Sequence, residues 1–117
     1  MFQKDMSISL LLDFYGDILS ARRREIIEMY YNEDLSLSEI AEITGISRQG
    51  VRDSIKKSEK ELLQIEESLG LVERFRKLKA EIGSISSDLG AIIESTDNKE
   101  LKEKLEAEIK KLETLDI

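Results

Sequence analysis

The 117-residue chain contains no cysteine, histidine, proline or tryptophan, and each absence removes a class of chemistry or structure. Without Cys or His there is no zinc site of the usual kind, no thiol nucleophile, no Ser-His-Asp triad and no imidazole to carry a proton near neutral pH. Zero Cys also excludes a disulfide framework. No apolar run approaches the roughly 20 residues that span a bilayer. The opening stretch MFQKDMSISLLLDFYGD carries Lys4, Asp5, Asp13 and Asp17 where a secretory apolar region would be unbroken. These features predict a soluble, cytoplasmic protein that is not an enzyme, with no cofactor and no metal. Carboxylate neighbours such as Asp13 with Asp17, or Glu66 with Glu67, read as solvated faces in a chain where charge is everywhere.

What remains is rich in charge. Residues of the Asp, Glu, Lys and Arg types make up 37% of the chain and hydrophobic ones 40%, a mixture that favours amphipathic helices over strands or disorder. The expected fold class is all-α. The formal net charge is −7, from 18 Lys and Arg against 25 Asp and Glu, which argues against a protein that coats nucleic acid by bulk electrostatics. The average hides an exception. Between Ser47 and Lys60 five basic residues (Arg48, Arg52, Lys56, Lys57, Lys60) face two acidic ones (Asp53, Glu59), so this segment is +3 and the remainder −10.

Hydrophobic spacing predicts six helices. Ile8, Leu11, Leu12, Tyr15, Ile18 and Leu19 recur at three- and four-residue steps and predict a first helix over 7–19. Ser20 is a plausible N-cap for a second helix whose Ile26, Ile27, Tyr30 and Tyr31 form its buried side. Ser36 and Glu39 match a capping box that starts a short third helix at Leu37, and Gly45 is placed to end it. Ser47 then caps a fourth helix running to about Leu69, with Ser58 the one polar interruption of its apolar seam. After Gly70 a new series begins, Leu71, Phe75, Leu78, Ile82, Ile85, Leu89 and Ile92, alternating steps of four and three like a coiled-coil seam. Gly83, Ser84, Ser86, Ser87 and Gly90 are poor helix formers within it, so that helix must draw support from packing. Asp97 and Glu100 read as a second capping box opening a last helix with a stripe from Leu101 to Leu115. Residues 1–69 are thus expected to form one domain, with a recognition helix at about 47–69, and residues 70–117 a C-terminal helical hairpin or extension of the same structural unit. The two seams predict a homodimer.

The run LSLSEIAEITGISRQGVRDSIKKSEKEL has the layout of a helix-turn-helix, a short helix, a Gly turn and a capped helix with basic residues on its outer side. Ala41 is small where the two helices cross, Gly45 makes the turn, and Ile40, Ile46, Val51 and Ile55 fill the wedge. Gln49, Arg52, Lys56 and Lys60 fall three and four apart on one face, flanked by Arg48 and with Lys57 beside them. Arg48, Gln49 and Arg52 are the candidates for base edges, since Arg pairs bidentately with guanine and Gln with adenine, while Ser47 and its neighbouring amides can hold a phosphate. The bland alternative is a packed hairpin with a solvated basic face. Arg22, Arg23 and Arg24 oppose the macrodipole at the start of the second helix; they read either as contacts to a phosphate or acidic partner or, more plainly, as partners of nearby carboxylates such as Glu25 and Glu28.

Through SLLLDFYGDIL and EMYYNEDLSLSEIAEITGISRQGVRDSIKKSEKELLQIEESLGL the chain resembles the YlxM family, small bacterial proteins encoded next to signal recognition particle genes. The similarity covers about residues 7–71. It implies a helix-turn-helix domain like region 4 of sigma-70 factors and a regulatory part in the signal recognition particle pathway, whose components become expected partners. Gly50 stands where an Ala is expected and Arg52 where a Tyr is more usual, and both lie on or beside the proposed reading face. The functional expectation is a regulatory or adaptor protein contacting nucleic acid, DNA or RNA, through the helix after Ser47. The alternatives are a DNA-binding transcription regulator and a protein-interaction module that uses the helix-turn-helix as a scaffold.

Overall fold

A computed structural model describes residues 7–115, and among these residues every regular element is helical. The order is α1 (Ser7–Tyr15), a 3-10 turn (Gly16–Ile18), α2 (Ala21–Tyr31), α3 (Leu37–Thr44), α4 (Arg48–Leu69), α5 (Leu71–Ser95) and α6 (Lys99–Glu113). One compact unit ends at Val72 and a second begins at Glu73. No helix among the described residues is long and apolar enough to cross a membrane.

Helix starts follow the side chains that can satisfy orphan amides. The hydroxyl of Ser20 accepts from Arg23 N, that of Ser47 from Gly50 N, and Ser36 with Glu39 closes a reciprocal capping box. Two helix ends are set by glycine. Gly45 closes α3 at φ 74° and Gly70 closes α4 at φ 64°, left-handed conformations that cost a residue with a Cβ about 1–2 kcal/mol. Ser36→Ala is expected to lower stability by about 0.5–2 kcal/mol in urea unfolding. Within the same box, the Ser36 backbone amide and then its hydroxyl hold the Glu39 carboxyl below the usual carboxylate range. That contribution is present above the unfolded carboxylate value and is lost as pH falls through the lower folded one.

Two expectations from sequence shift. The first helix loses its α-helical form at Tyr15 rather than Leu19, because Gly16 lies under Arg24 (a Cβ there would sit 3.3 Å from Arg24 Nε) and Asp17 pairs with the same guanidinium. The chain tightens into the 3-10 turn, closed by Leu19 N–H donating to Gly16 O at 3.2 Å. At the other end, the cap of α6 is Asn98 and not Asp97. Asn98 Oδ1 accepts from Leu101 N at 3.1 Å, while its own amide is taken by the Thr96 hydroxyl at 3.2 Å.

The first unit is organised on α4, which packs against α1, α2 and α3. Its inward residues Val51, Ile55, Ser58 and Leu62 are fully buried. Around them lie Ile8 and Leu12 from α1, Ile26 and Ile27 from α2 and Ile40 from α3, with Ala41 packed against the same cluster. Tyr30 and Tyr31 meet edge to face, 5.2 Å between ring centroids, inside this core; they are buried rather than presented to a base. The Tyr15 hydroxyl donates to Glu66 Oε1 at 2.6 Å and accepts from Leu71 N at 3.2 Å, and Glu66 Oε1 also accepts from Val72 N at 3.0 Å. Glu66 is therefore no solvated face. It ties the end of α4 to α1 and to the first residues of α5, and burial together with this carboxylate raises the Tyr15 hydroxyl above its ordinary pKa.

The second unit is built differently. Neither α5 beyond Val72 nor α6 has a buried residue. Ile82, Gly83 and Ser86 of α5, Leu112 of α6 and Leu115 just after it line an open groove.

Candidate nucleic-acid interface

The residues singled out after Ser47 fall on one helix and mostly on one side of it. With Val51, Ile55, Ser58 and Leu62 pointing into the core, the helical period puts Gln49, Arg52, Lys56 and Lys60 on the opposite side of α4. Arg48, Gln49, Lys56, Lys57 and Lys60 are exposed and Arg52 is half-buried. Gln49 donates through Nε2 to Asp53 Oδ1 at 2.8 Å, so reading a base with this amide requires it to leave Asp53. Lys57 lies toward Glu61, on the flank nearest α2.

Gly50 has a packing role that helix propensity alone hides. A Cβ there would stand 2.7 Å from Ile46 Cγ2 and 3.1 Å from the Ser47 hydroxyl, so the turn fits closely against the first turn of α4 and a residue with a Cβ there requires the Ile46 side chain to shift. Ser47 itself is engaged as the N-cap, its oxygen accepting from Gly50 N at 3.0 Å. On the other side of the turn Thr44 Oγ1 donates to Ile40 O at 2.7 Å and accepts from Ile46 N.

Sequence reasoning missed how α4 sorts its charge. Glu59 accepts from the Tyr31 hydroxyl, Glu61 from Arg23 and Glu66 from Tyr15. Three carboxylates of α4 are drawn toward α1 and α2, and the outward face keeps its basic residues with Asp53 as the acidic exception in its first half. The signal was present but non-local, since each partner lies at least 28 residues away. The Arg23 guanidinium holds the Glu61 carboxyl below the usual carboxylate range and so keeps it ionised.

Arg22, Arg23 and Arg24 have partners in their own chain. Arg22 Nη2 donates to Thr44 O at 2.7 Å, a cation placed at the C-terminal carbonyl of α3, and its guanidinium lies 3.9 Å from Glu25. Arg23 donates to Ser58 Oγ and to Glu61, and Arg24 pairs with Asp17 and Glu28. These contacts offset the unfavourable placement of three cations in the first turn of α2. Among the described residues no group of three or more Asp or Glu side chains is arranged to hold a metal ion.

Comparison with known proteins gives a concordant result. A family model described as "UPF0122: Putative helix-turn-helix protein, YlxM / p13 like" matches residues 2–114. A UPF0122 protein of Thermoanaerobacter sp. (strain X514) is 40% identical over 110 residues, 94% of each chain. One of Halalkalibacterium halodurans is 37% identical over 116 residues, 99% of this chain and 100% of its own. One of Desulforamulus reducens reaches 52% identity over 68 residues, 58% of each chain.

Proposed function

We propose, from the premise that this chain belongs to the UPF0122 family of YlxM/p13-like helix-turn-helix proteins, that it is a non-enzymatic regulatory or adaptor protein that binds nucleic acid through α4. The observation that carries the reading is the outward basic face of α4 in a chain whose remainder is strongly acidic. The inward turn of Glu59, Glu61 and Glu66 leaves that face positive. Arg48, Gln49 and Arg52 address base edges, Lys56, Lys57 and Lys60 meet phosphates, and the α4 N-terminus at Ser47 adds its amide dipoles. A homodimer presents two such helices. The link to the signal recognition particle pathway rests on the resemblance of residues 7–71 to YlxM proteins, and it makes particle components the first partners to test.

Because the rest of the molecule repels phosphate, binding is localised and salt-sensitive. With about four to six phosphate contacts per dimer, log affinity against log salt should fall with a slope of about −4 to −5. Nucleic acid recovered by co-purification in mild salt supplies the probe, and fluorescence anisotropy across a salt series supplies the measurement. Lys56→Ala should weaken all sequences alike and reduce the slope by about one. Arg52→Ala should cost about 1–3 kcal/mol and relax preference at one base. If both variants bind as tightly as the parent, α4 is not the nucleic-acid interface, and the helix-turn-helix is then better read as a scaffold for protein contact.

A further inference from the structure

The second unit is short of a core, and the pattern of what it leaves open identifies its missing partner. Its two helices carry an unbroken series of apolar residues, yet none of those after Val72 is buried. Within α5 the series divides. Phe75, Ile82 and Leu89 are half-buried, whereas Leu78, Ile85 and Ile92 remain 50%, 40% and 45% exposed. The exposed three recur every seven residues, the repeat of a surface made to meet another helix along its length. Two helices of this length do not supply a stable core alone, and chains in that position depend on disulfides, metals or association. This chain has no cysteine, and α5 is further weakened by Gly83 and Gly90, with Ser84, Ser86 and Ser87 between them.

We propose that the exposed row of α5 pairs antiparallel with the same row of a second copy of this chain, Leu78 of each facing Ile85 of the other, so that two hairpins complete one four-helix core. The inference deepens the homodimer in the reading above by assigning its face and its direction. Charge decides both. Arg74, Glu81 and Asp88 each precede a residue of the row by four positions and form an exposed flank along it. Setting Leu78 against the partner's Ile85 in antiparallel order brings Arg74 beside the partner's Asp88, twice in the symmetric pair, against a single like-charge contact where Glu81 meets its own copy near the two-fold axis. A parallel pair in register brings Arg74 toward the partner's Lys79 instead, with no opposite charge to meet it. The N-terminal half of α5 is net basic, with Arg74, Arg76, Lys77 and Lys79 against Glu73 and Glu81, and the C-terminal half acidic, through Asp88 and Glu94. An identical helix laid antiparallel complements both halves at once.

The test uses the full chain and reads its mass by sedimentation equilibrium. The parent is expected to be a dimer, and Ile85→Asp to raise the dimer dissociation constant by at least about a hundredfold, with the urea unfolding of the first unit, followed by its tyrosine fluorescence, unchanged. Arg74→Glu and Asp88→Arg should each weaken the dimer, and the two together in one chain should restore it. Direction is read separately by cysteines introduced into a chain that has none. Glu81→Cys, near the axis, should cross-link rapidly to a covalent dimer on mild oxidation, while Asp88→Cys, separated from its copy by about 20 Å along an antiparallel pair, should not. A parent that is monomeric at high concentration overturns the homodimer and this assignment together. A parent that dimerises with Ile85→Asp as tightly as without it overturns the face alone. Equal cross-linking at 81 and 88 overturns the antiparallel direction. None of these outcomes depends on nucleic acid, so failure of α4 to bind it is a separate result.

Discussion

Leu62→Ala is expected to lower the unfolding free energy by about 2–5 kcal/mol, the usual cost of truncating a fully buried Leu whose surroundings only partly relax. Leu62 has no solvent exposure and lies where α4 packs under α1 and α2. Against a total stability of about 5–15 kcal/mol for a small domain, this is enough to make the variant marginal. The adjacent Leu63, 47% exposed, is the control, and Leu63→Ala should stay within about 0.5 kcal/mol of the parent. The measurement is cleanly local because the chain has no Trp and its three tyrosines, Tyr15, Tyr30 and Tyr31, all lie in the first unit. Tyrosine fluorescence in urea therefore follows that unit and not the second. A loss under about 1 kcal/mol for Leu62→Ala would mean that α4 is not the spine of the core.

The contrast between these neighbours shows what a sequence discloses and what it withholds. Features set within one helical turn were legible: the caps at Ser20, Ser36 and Ser47, the left-handed Gly45, the break at Gly70, and the basic face of α4, which follows from spacing alone. Where two equivalent residues stood side by side, local rules were insufficient. Asp97 and Asn98 both cap helices well, and the Thr96 hydroxyl engaging the Asn98 amide accompanies the choice of Asn98. Features set by a distant residue were not legible. Ile18 and Leu19 continue the period of α1, but Arg24 from the next helix crosses Gly16 and captures Asp17, so the α-helix stops. Glu66 looked like any exposed carboxylate until Tyr15, 51 residues earlier, was brought against it. The candidate site divides the same way. Its basic residues could be named from spacing, whereas the removal of Glu59, Glu61 and Glu66 from its neighbourhood depends on tertiary pairing.

Ser58 carries the largest departure from what pattern alone advises. It interrupts the seam of Val51, Ile55, Leu62 and Ile65, and by pattern alone Ser58→Leu restores that seam. The structure predicts the reverse. Ser58 is fully buried, and its oxygen accepts from Arg23 Nε at 3.1 Å while the same guanidinium reaches Glu61 through Nη1 and Nη2, each at 3.1 Å. A Leu there overfills a packed site, at about 1–3 kcal/mol, and leaves Arg23 Nε without its acceptor, at about 1–3 kcal/mol more, for an expected loss of about 2–6 kcal/mol. Because part of that cost arises from the Arg23–Ser58 contact, the two residues should couple. Arg23→Met with Ser58→Leu should be less destabilised than the sum of the single changes by about 0.5–3 kcal/mol, since both polar partners are then gone and the volume is shared. Acid gives an independent check. Arg23 keeps Glu61 below the ordinary carboxylate range, so the stability it confers is complete above the unfolded carboxylate value and fades as pH falls through the lower folded one. The gap between the parent and Arg23→Met should therefore narrow in acid. A gap that stays constant with pH, or a Ser58→Leu chain as stable as the parent, would show that Arg23 does not bridge α2 to α4 through Ser58 and Glu61.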